Sequence, residues 1–344
     1  VRDFLKLFRR IWKIWKHPKS FAAASWYQFQ LRRGKRRLNG PSILVYRHSG
    51  LGDVICSLPT VNALRDKYPN SFITYWTLKS FVPVIQAAEC ADLVLGIDES
   101  DVFQQLNTLE FDIAIYLKAA DEDGLRRPHR HTVDDYAESV QVSLLSRQPK
   151  IKVPSLFVKK ATNSLATIRS PKGPLVAIHT GPTWAVREWT ERGWDELVAA
   201  LQCRLKATVV QVGADVLVGA APRRAYRTKG TIDLVGERNI LETAALIQQC
   251  DLFIGVDSGL LHLAGAVGTH SVGIFGPVDP KLRLPTETIS DFVTSSVPCL
   301  GCHHATPQGH WKTGCNHDIQ CMKMLSADSV LEVIDKIITQ PLLR

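Results

Sequence analysis

The sequence predicts an α/β protein of two similar-sized halves, each built on a parallel sheet, with a cleft between them. Three observations carry this. Short apolar runs alternate with helical stretches, a pattern that needs crossover connections and therefore parallel strands. The alternation stops at a stretch holding Pro149, Pro154, Pro171 and Pro174, then starts again. The length of 344 residues fits two domains at a soft size of roughly 150 each. With 45% hydrophobic and 22% charged residues the chain can bury a large core, which excludes wholesale disorder.

In the first half, the run SILVY at 42–46 reads as a buried strand after the turn-like Asn39-Gly40-Pro41. The segment RHSGLGD is a glycine-containing turn, and 54–68 reads as a helix despite Pro59. Strands follow at 71–76, 93–95 and 111–116, with helices at 81–88 and 133–145. In the second half, strands are predicted at 175–179, 207–212, 232–234, 252–256 and 271–275. Helices are predicted at 190–201 with Thr190 as cap, and at 240–249, 260–267 and 327–338. Ligands of such sheets sit at the carboxyl ends of strands. That directs attention to 47–53, 179–188, 213–215, 257–262 and 276–280.

Charge separates an arm from a body. Residues 1–40 hold twelve Lys or Arg against the single acid Asp3, whereas the remainder holds 30 basic and 32 acidic side chains. A nucleic-acid enzyme more often spreads positive charge over its body, so nucleic acid is not expected as a partner. Phe4, Leu7, Phe8, Ile11, Ile14 and Trp15 recur at helical spacing beside Lys and Arg, and Pro18 ends the pattern. Such a helix suits an anionic bilayer interface, and it equally suits docking on the protein's own body or on another subunit. Apolar residues are interrupted by Lys and Arg throughout the arm, unlike a secretory signal, and no apolar run of about 18 residues exists anywhere in the chain.

Each candidate site has a plain structural alternative. Asp53 stands where a helix opens after the glycine turn, either as a helix cap or as a carboxylate that removes a proton from an acceptor hydroxyl. Thr180 and Arg187 follow a strand end and suit a phosphate group, unless Arg187 only pairs with Glu188 or Glu191. The stretch Asp257-Ser258-Gly259 turns a strand directly into a helix, whose first amides suit a diphosphate. His262 lies on the same helical side as Ser258, as a ligand contact or a satisfied interface histidine. Asp279 sits in a rigid Gly-Pro loop beside this site and caps the local turn in the plainer reading.

Cysteine use is uneven. Cys56, Cys90, Cys203 and Cys250 are scattered, which points to a reduced cytoplasmic chain and not to a disulfide scaffold. Cys299, Cys302, Cys315 and Cys321 form a C-x₂-C-x₁₂-C-x₅-C cluster that can enclose a tetrahedral metal, zinc ahead of iron, in a structural role. The alternative is a set of reduced thiols or a disulfide in a surface excursion.

Three stretches in order, RHSGLGDVICSLPTVNALRDKYPNSFITYWT, GPTWAVREWTERGWDELV and CDLFIGVDSGLLHLAGAVGTHSVGIFGPVDP, resemble the heptosyltransferase family over roughly residues 42–340. The resemblance implies a GT-B fold of two Rossmann-like domains with parallel sheets facing across a cleft. After the basic arm over 1–40, the chain then divides into an acceptor-side domain over 41–165, a nucleotide-sugar-binding domain over 172–325 with the cysteine cluster at 299–321, and a C-terminal helix over 326–344; the arm and the cluster depart from the smallest core enzymes of the family. The resemblance implies inverting transfer of heptose from ADP-heptose to a lipopolysaccharide-type glycan, with no catalytic metal. By resemblance Asp53 is the general base. Arg187 stands where Lys commonly meets donor phosphate, and Asp257, Ser258, Gly259 and His262 match the donor region. Val278 departs from a common Thr. Relatives with a cysteine cluster suggest an autotransporter protein as an alternative acceptor. Loss of activity in a nucleotide-sugar-binding or scaffold protein, and a UDP-sugar donor, are the further alternatives. The expected location is the cytoplasmic face of the inner membrane, held peripherally, with a homo-oligomer as a possible assembly.

Overall fold

The computed structural model describes residues 29, 33–34, 39–48, 50–97, 111–119, 130–218, 221–236, 238–305 and 314–339. The amphipathic pattern expected at 4–15 and, of the arm's second run of basic residues, Arg32, Lys35, Arg36 and Arg37 lie outside the described residues. Two parallel sheets organise what is described, as the alternating pattern predicts.

The first half carries a four-stranded sheet of order β3-β2-β1-β4. Its strands are β1 (Ser42–Tyr46), β2 (Phe72–Leu78), β3 (Leu93–Ile97) and β4 (Ile113–Tyr116). Helices α1 (Leu51–Cys56), α2 (Leu58–Lys67), α3 (Val82–Ala88) and α4 (Thr132–Ser139) connect or flank them. The helix expected over 54–68 starts earlier and is divided at Ser57. Pro59 falls in the first turn of α2, where its missing N–H is no loss. Helix α4 ends well before the expected residue 145, and Gln141 just beyond it has a positive φ.

A crossover helix, α5 (Ser155–Ala166), leads into the second half and packs against its helix α7 (Ile240–Gln249). The second sheet has six strands in the order β12-β11-β10-β5-β6-β9. These are β5 (Leu175–His179), β6 (Thr208–Gln211), β9 (Ile232–Asp233), β10 (Leu252–Val256), β11 (Ser271–Ile274) and β12 (Ser290–Val293). Strands β7 (Val216–Val218) and β8 (Ala221–Arg223) form a separate antiparallel pair. Every residue of β5 and of β10 is buried, as a parallel sheet covered on both faces requires. The sequence reading had no strand at 290–293. β12 lies at the sheet edge with Asp291 and Phe292 exposed, so it lacks the apolar run of a central strand.

Helices α6 (Glu191–Leu205), α8 (Gly259–Ala266), α9 (Pro280–Arg283), α10 (Cys302–Ala305), α11 (Gln320–Lys323) and α12 (Ala327–Thr339) complete the second half. Local chemistry sets their starts. Thr190 accepts from Gly193 N–H at the head of α6, and Asn239 with Glu242 forms a reciprocal cap on α7. The largest buried cluster runs from Ile43 and Val45 of the first sheet to Phe253 and Phe275 of the second, so the core is continuous across the two halves.

In each sheet the chain reverses its direction of winding at one place, between β1 and β4 and between β5 and β10. Crevices open at such places outside the strand carboxyl ends. The helix that follows β1 carries Asp53 in its first turn, the loop after β5 carries Arg187, and Asp257 directly follows β10.

Candidate active site

Asp53 occupies the first turn of α1. It is not the helix cap. Gly50 stands at that position, with φ of 75°, and a Cβ there would fall 2.4 Å from Asp53 Oδ2. The carboxylate instead meets two guanidinium groups. Arg47 Nη2 lies 2.9 Å from Oδ2, and Arg283 Nη1 donates to Oδ1 at 2.8 Å. Arg47 is 1% exposed and also donates to the Leu117 carbonyl of the first half at 3.1 Å. Its guanidinium carbon sits 5.6 Å from the Tyr136 ring centre. Burial opposes ionisation of Asp53, but Arg47 and then Arg283 outweigh it and hold the carboxyl below the ordinary aspartate range. The Asp53 side chain keeps 22% exposure, so an edge of the carboxylate remains reachable.

The second corner belongs to the other half. Arg187 Nη1 lies 3.0 Å from Asp257 Oδ2, and its guanidinium carbon sits 5.2 Å from the Trp184 ring centre. The alternative pairing of Arg187 with Glu188 does not occur. Glu188 accepts from Arg223 Nη2 at 2.6 Å and from Thr183 N–H at 2.7 Å, which fastens the loop to itself. Trp189 anchors the loop from beneath, donating from Nε1 to the Leu325 carbonyl at 3.1 Å. Thr180 faces inward, its hydroxyl donating to the Tyr226 carbonyl and accepting from Gln211 Nε2. Ser258 begins α8 without a side-chain cap, and its Oγ is shielded from solvent with no hydrogen-bond partner among the described residues. The first amides of a helix have no intrahelical acceptor, so this turn can receive an anion. Asp279 caps α9, accepting from Lys281 N–H at 2.9 Å, which is its plainer role.

Helices α1 and α8 meet where the two corners adjoin. A Cβ on Gly52 would fall 2.6 Å from His262 Cδ2, and one on Gly259 would fall 2.6 Å from Leu51 Cβ. His262 therefore sits in the joint between the halves, with Nδ1 3.5 Å from Cys56 Sγ. Burial is the main cause that lowers its pKa to about 4, and Asp257 and Asp53 only partly offset it, so it is neutral at pH 7. Burial likewise raises the Cys56 thiol to about 12, which keeps it protonated.

The four clustered cysteines line one pocket, together with Val186 and His303. All eight cysteines are free thiols. The donor set has the chemistry of a thiolate metal site, but among the described residues no three His, Cys, Asp or Glu side chains converge as metal ligands would. Val186 precedes Arg187, and His303 N–H donates to the Pro277 carbonyl, so this pocket adjoins the second corner. Sequence reasoning missed Arg47 and Arg283. Arg47 had a signal, a cation directly after a buried strand; Arg283 had none. His303, which shares the cysteine segment and could substitute as a ligand there, does line the cysteine pocket.

Residues 103–311 match glycosyltransferase family 9 (heptosyltransferase). Lipopolysaccharide heptosyltransferase 3 of Escherichia coli K12 is 32% identical over 120 residues, 34% of this chain and 35% of that protein. Lipopolysaccharide heptosyltransferase 1 of Pseudomonas aeruginosa is 24% identical over 38% of this chain and 37% of its own length. The chain thus matches about a third of the length of these two curated relatives. Among solved structures, a family 9 glycosyl transferase from Veillonella parvula has a TM-score of 0.66 at 18% identity, covering 88% of this chain and 98% of that one. E. coli ADP-heptose heptosyltransferase II has 0.65 at 17%, covering 87% and 99%. The iron-containing dodecameric glycosyltransferase TibC of enterotoxigenic E. coli has 0.63 at 16%, covering 87% and 78%. These likenesses make the two-sheet architecture a GT-B fold. On the family match, the chain belongs to glycosyltransferase family 9, the heptosyltransferase family.

Proposed function

We propose that the chain is an inverting glycosyltransferase that moves heptose from ADP-heptose to a lipopolysaccharide-type glycan. The observation that carries this reading is that Asp53 of the first half, paired with Arg283 of the second, and the Arg187–Asp257 corner of the second half all lie beside His262 in the joint. The donor diphosphate would lie against Arg187 and the opening turn of α8 at Ser258 and Gly259. Asp53 takes the proton of the acceptor hydroxyl while that oxygen bonds to the anomeric carbon. The bond from that carbon to the diphosphate oxygen breaks, and ADP leaves with the electron pair. Arg187 and the helix amides stabilise the charge that develops on the leaving group. A positioned general base contributes about 10²–10⁴-fold. Contact between the halves excludes water and limits donor hydrolysis.

In this reading 41–165 is the acceptor side and 172–325 the donor side. The arm over 1–40 holds the protein peripherally on the anionic cytoplasmic membrane, and salt-sensitive sedimentation with anionic vesicles measures it. Cys299, Cys302, Cys315 and Cys321 would be the residues that hold a structural zinc or iron, with no step of the reaction passing through it. The cysteine pocket beside the donor loop favours a second reading, a protein acceptor. A donor and acceptor screen tests both. ADP release that requires ADP-heptose together with a glycan acceptor supports the first. ADP release that requires a polypeptide acceptor supports the second. Release of UDP, or tight binding without turnover, overturns both.

A further inference from the structure

We propose that Arg283 is a positioning residue that makes the orientation of Asp53 depend on contact between the two halves. The proposal rests on the glycosyltransferase reading only for the role of Asp53 as base. The carboxylate has two oxygens, and each has one guanidinium partner. Arg47, the partner of Oδ2, is anchored to the first half by the Leu117 carbonyl and the Tyr136 ring. Arg283, the partner of Oδ1, ends helix α9 in the second half, 230 residues away along the chain. It is held in place from both sides. Asp279 caps the start of α9, Leu284 N–H closes its end on the Pro280 carbonyl at 2.7 Å, and the Leu284 carbonyl meets His131 Nε2 at 2.8 Å.

One guanidinium leaves a carboxylate free to rotate about its Cβ–Cγ bond, whereas two on opposite oxygens stop it. An ionised carboxylate has about four lone-pair sites, so two contacts leave room for an acceptor hydroxyl. The Asp53 side chain is 22% exposed, which allows that hydroxyl to reach it. The surrounding groups set the charge balance. Cys56 and Tyr75 are neutral from burial and His262 is neutral in the joint; among the described residues Asp257 is the other acid that acts on this joint, and Arg187 pairs it. Among the described residues, Arg283 is the cation that reaches Asp53 from the opposite half. When the halves separate, Asp53 loses the contact that fixes its plane and part of the charge that keeps it ionised. A base out of line in the open state also activates water poorly, which protects a bound sugar nucleotide from hydrolysis.

The test compares Arg283→Gln and Arg283→Lys with the wild type in the full chain. Misplacement of a catalytic group typically costs about ten- to a hundredfold, so Arg283→Gln is expected to lower kcat by that much with donor KM changed by less than about threefold. The acid limb of its pH–rate profile moves to higher pH, because one of two cations beside Asp53 is gone. Arg283→Lys returns the limb towards its original position. A second measurement needs no turnover: the Asp53 carboxyl is titrated by ¹³C NMR in aspartate-labelled protein, assigned with Asp53→Asn. Its midpoint rises in Arg283→Gln and returns in Arg283→Lys. An unmoved midpoint and limb in a folded Arg283→Gln protein overturn the proposal and leave the glycosyltransferase reading intact. A raised midpoint in a protein that turns over no sugar nucleotide supports the clamp and removes that reading.

Discussion

The two carboxylate–arginine corners look alike and are built differently. Each acid follows a buried parallel strand, near the opening of a helix, at a place where its sheet reverses its winding. Asp257 is 7% exposed and takes its arginine from the loop beside it in the same half. Asp53 is 22% exposed and divides its two oxygens between the halves. The first arrangement survives any separation of the halves, and the second does not. In the proposed mechanism, binding of a donor can therefore precede closure, while the geometry of proton removal depends on it.

The sharpest test of this contrast is Asp53→Asn, which removes the closure-dependent corner and leaves the other. Turnover is expected to fall by about 10²–10⁴-fold with ADP affinity nearly unchanged. Steady-state rates and calorimetry on the same preparation check it, and turnover close to wild type in a folded protein removes Asp53 from the chemistry.

Arg187→Ala should do the reverse. A charged hydrogen bond contributes about 1.5–3 kcal/mol, so ADP affinity is expected to fall by roughly ten- to a hundredfold. Calorimetric titration with ADP measures this, and unchanged affinity means that the diphosphate lies elsewhere. Asp257 loses its guanidinium partner in this variant, so thermal stability falls as well.

Stability against pH separates the joint from both corners. His131, His179 and His262 are buried, and burial is the leading cause that lowers each to about 4. Their folded pKa lies below the ordinary histidine value near 6.5, so the unfolded chain binds more protons between about 6.5 and 4. Their contribution is complete above that window and is lost as pH falls through it, at roughly 1.4 kcal/mol per pH unit for each. Asp53, with its lowered pKa, adds a loss that begins only below the ordinary aspartate value of about 3.9. Denaturant unfolding at a series of pH values should show the histidine losses first. Flat stability from pH 6.5 to 4.5 would contradict the burial of these rings.

The smallest effect on chemistry is expected from Cys302→Ser. Elemental analysis should show less metal per chain and thermal melts a lower midpoint, with kcat close to wild type. Four thiols that titrate freely in folded protein purified without added metal would show that the pocket holds none.

The sheets were legible because buried parallel strands need continuous apolar runs, as in 42–46 and 252–256, and β12 escaped because an edge strand does not. Asp53 and the Asp257-Ser258-Gly259 turn were legible because glycines and a helix start mark the places where a ligand can approach backbone. Arg283 was not. It stands in an ordinary stretch, KLRLP, and acquires meaning only when α9 is laid beside α1. The pairing of Arg187 with Asp257 was also beyond the sequence, since Glu188 and Glu191 are its near neighbours along the chain, Asp257 is distant, and only the fold gives Glu188 to Arg223. The cysteine spacing identified four side chains that share a pocket, while their inward convergence depends on rotamers that spacing does not encode.

The glycine contact between α1 and α8 has a mechanical consequence. Gly52 and Gly259 leave less space than a single methyl group, with neighbouring atoms at 2.6 Å from where each Cβ would stand. An alanine at either position acts as a wedge at the fulcrum. Displacement about a fulcrum grows with distance from it, so a shim too thin to disturb either sheet still splays their far margins. Such a chain would fold, keep both sheets, and jam slightly ajar.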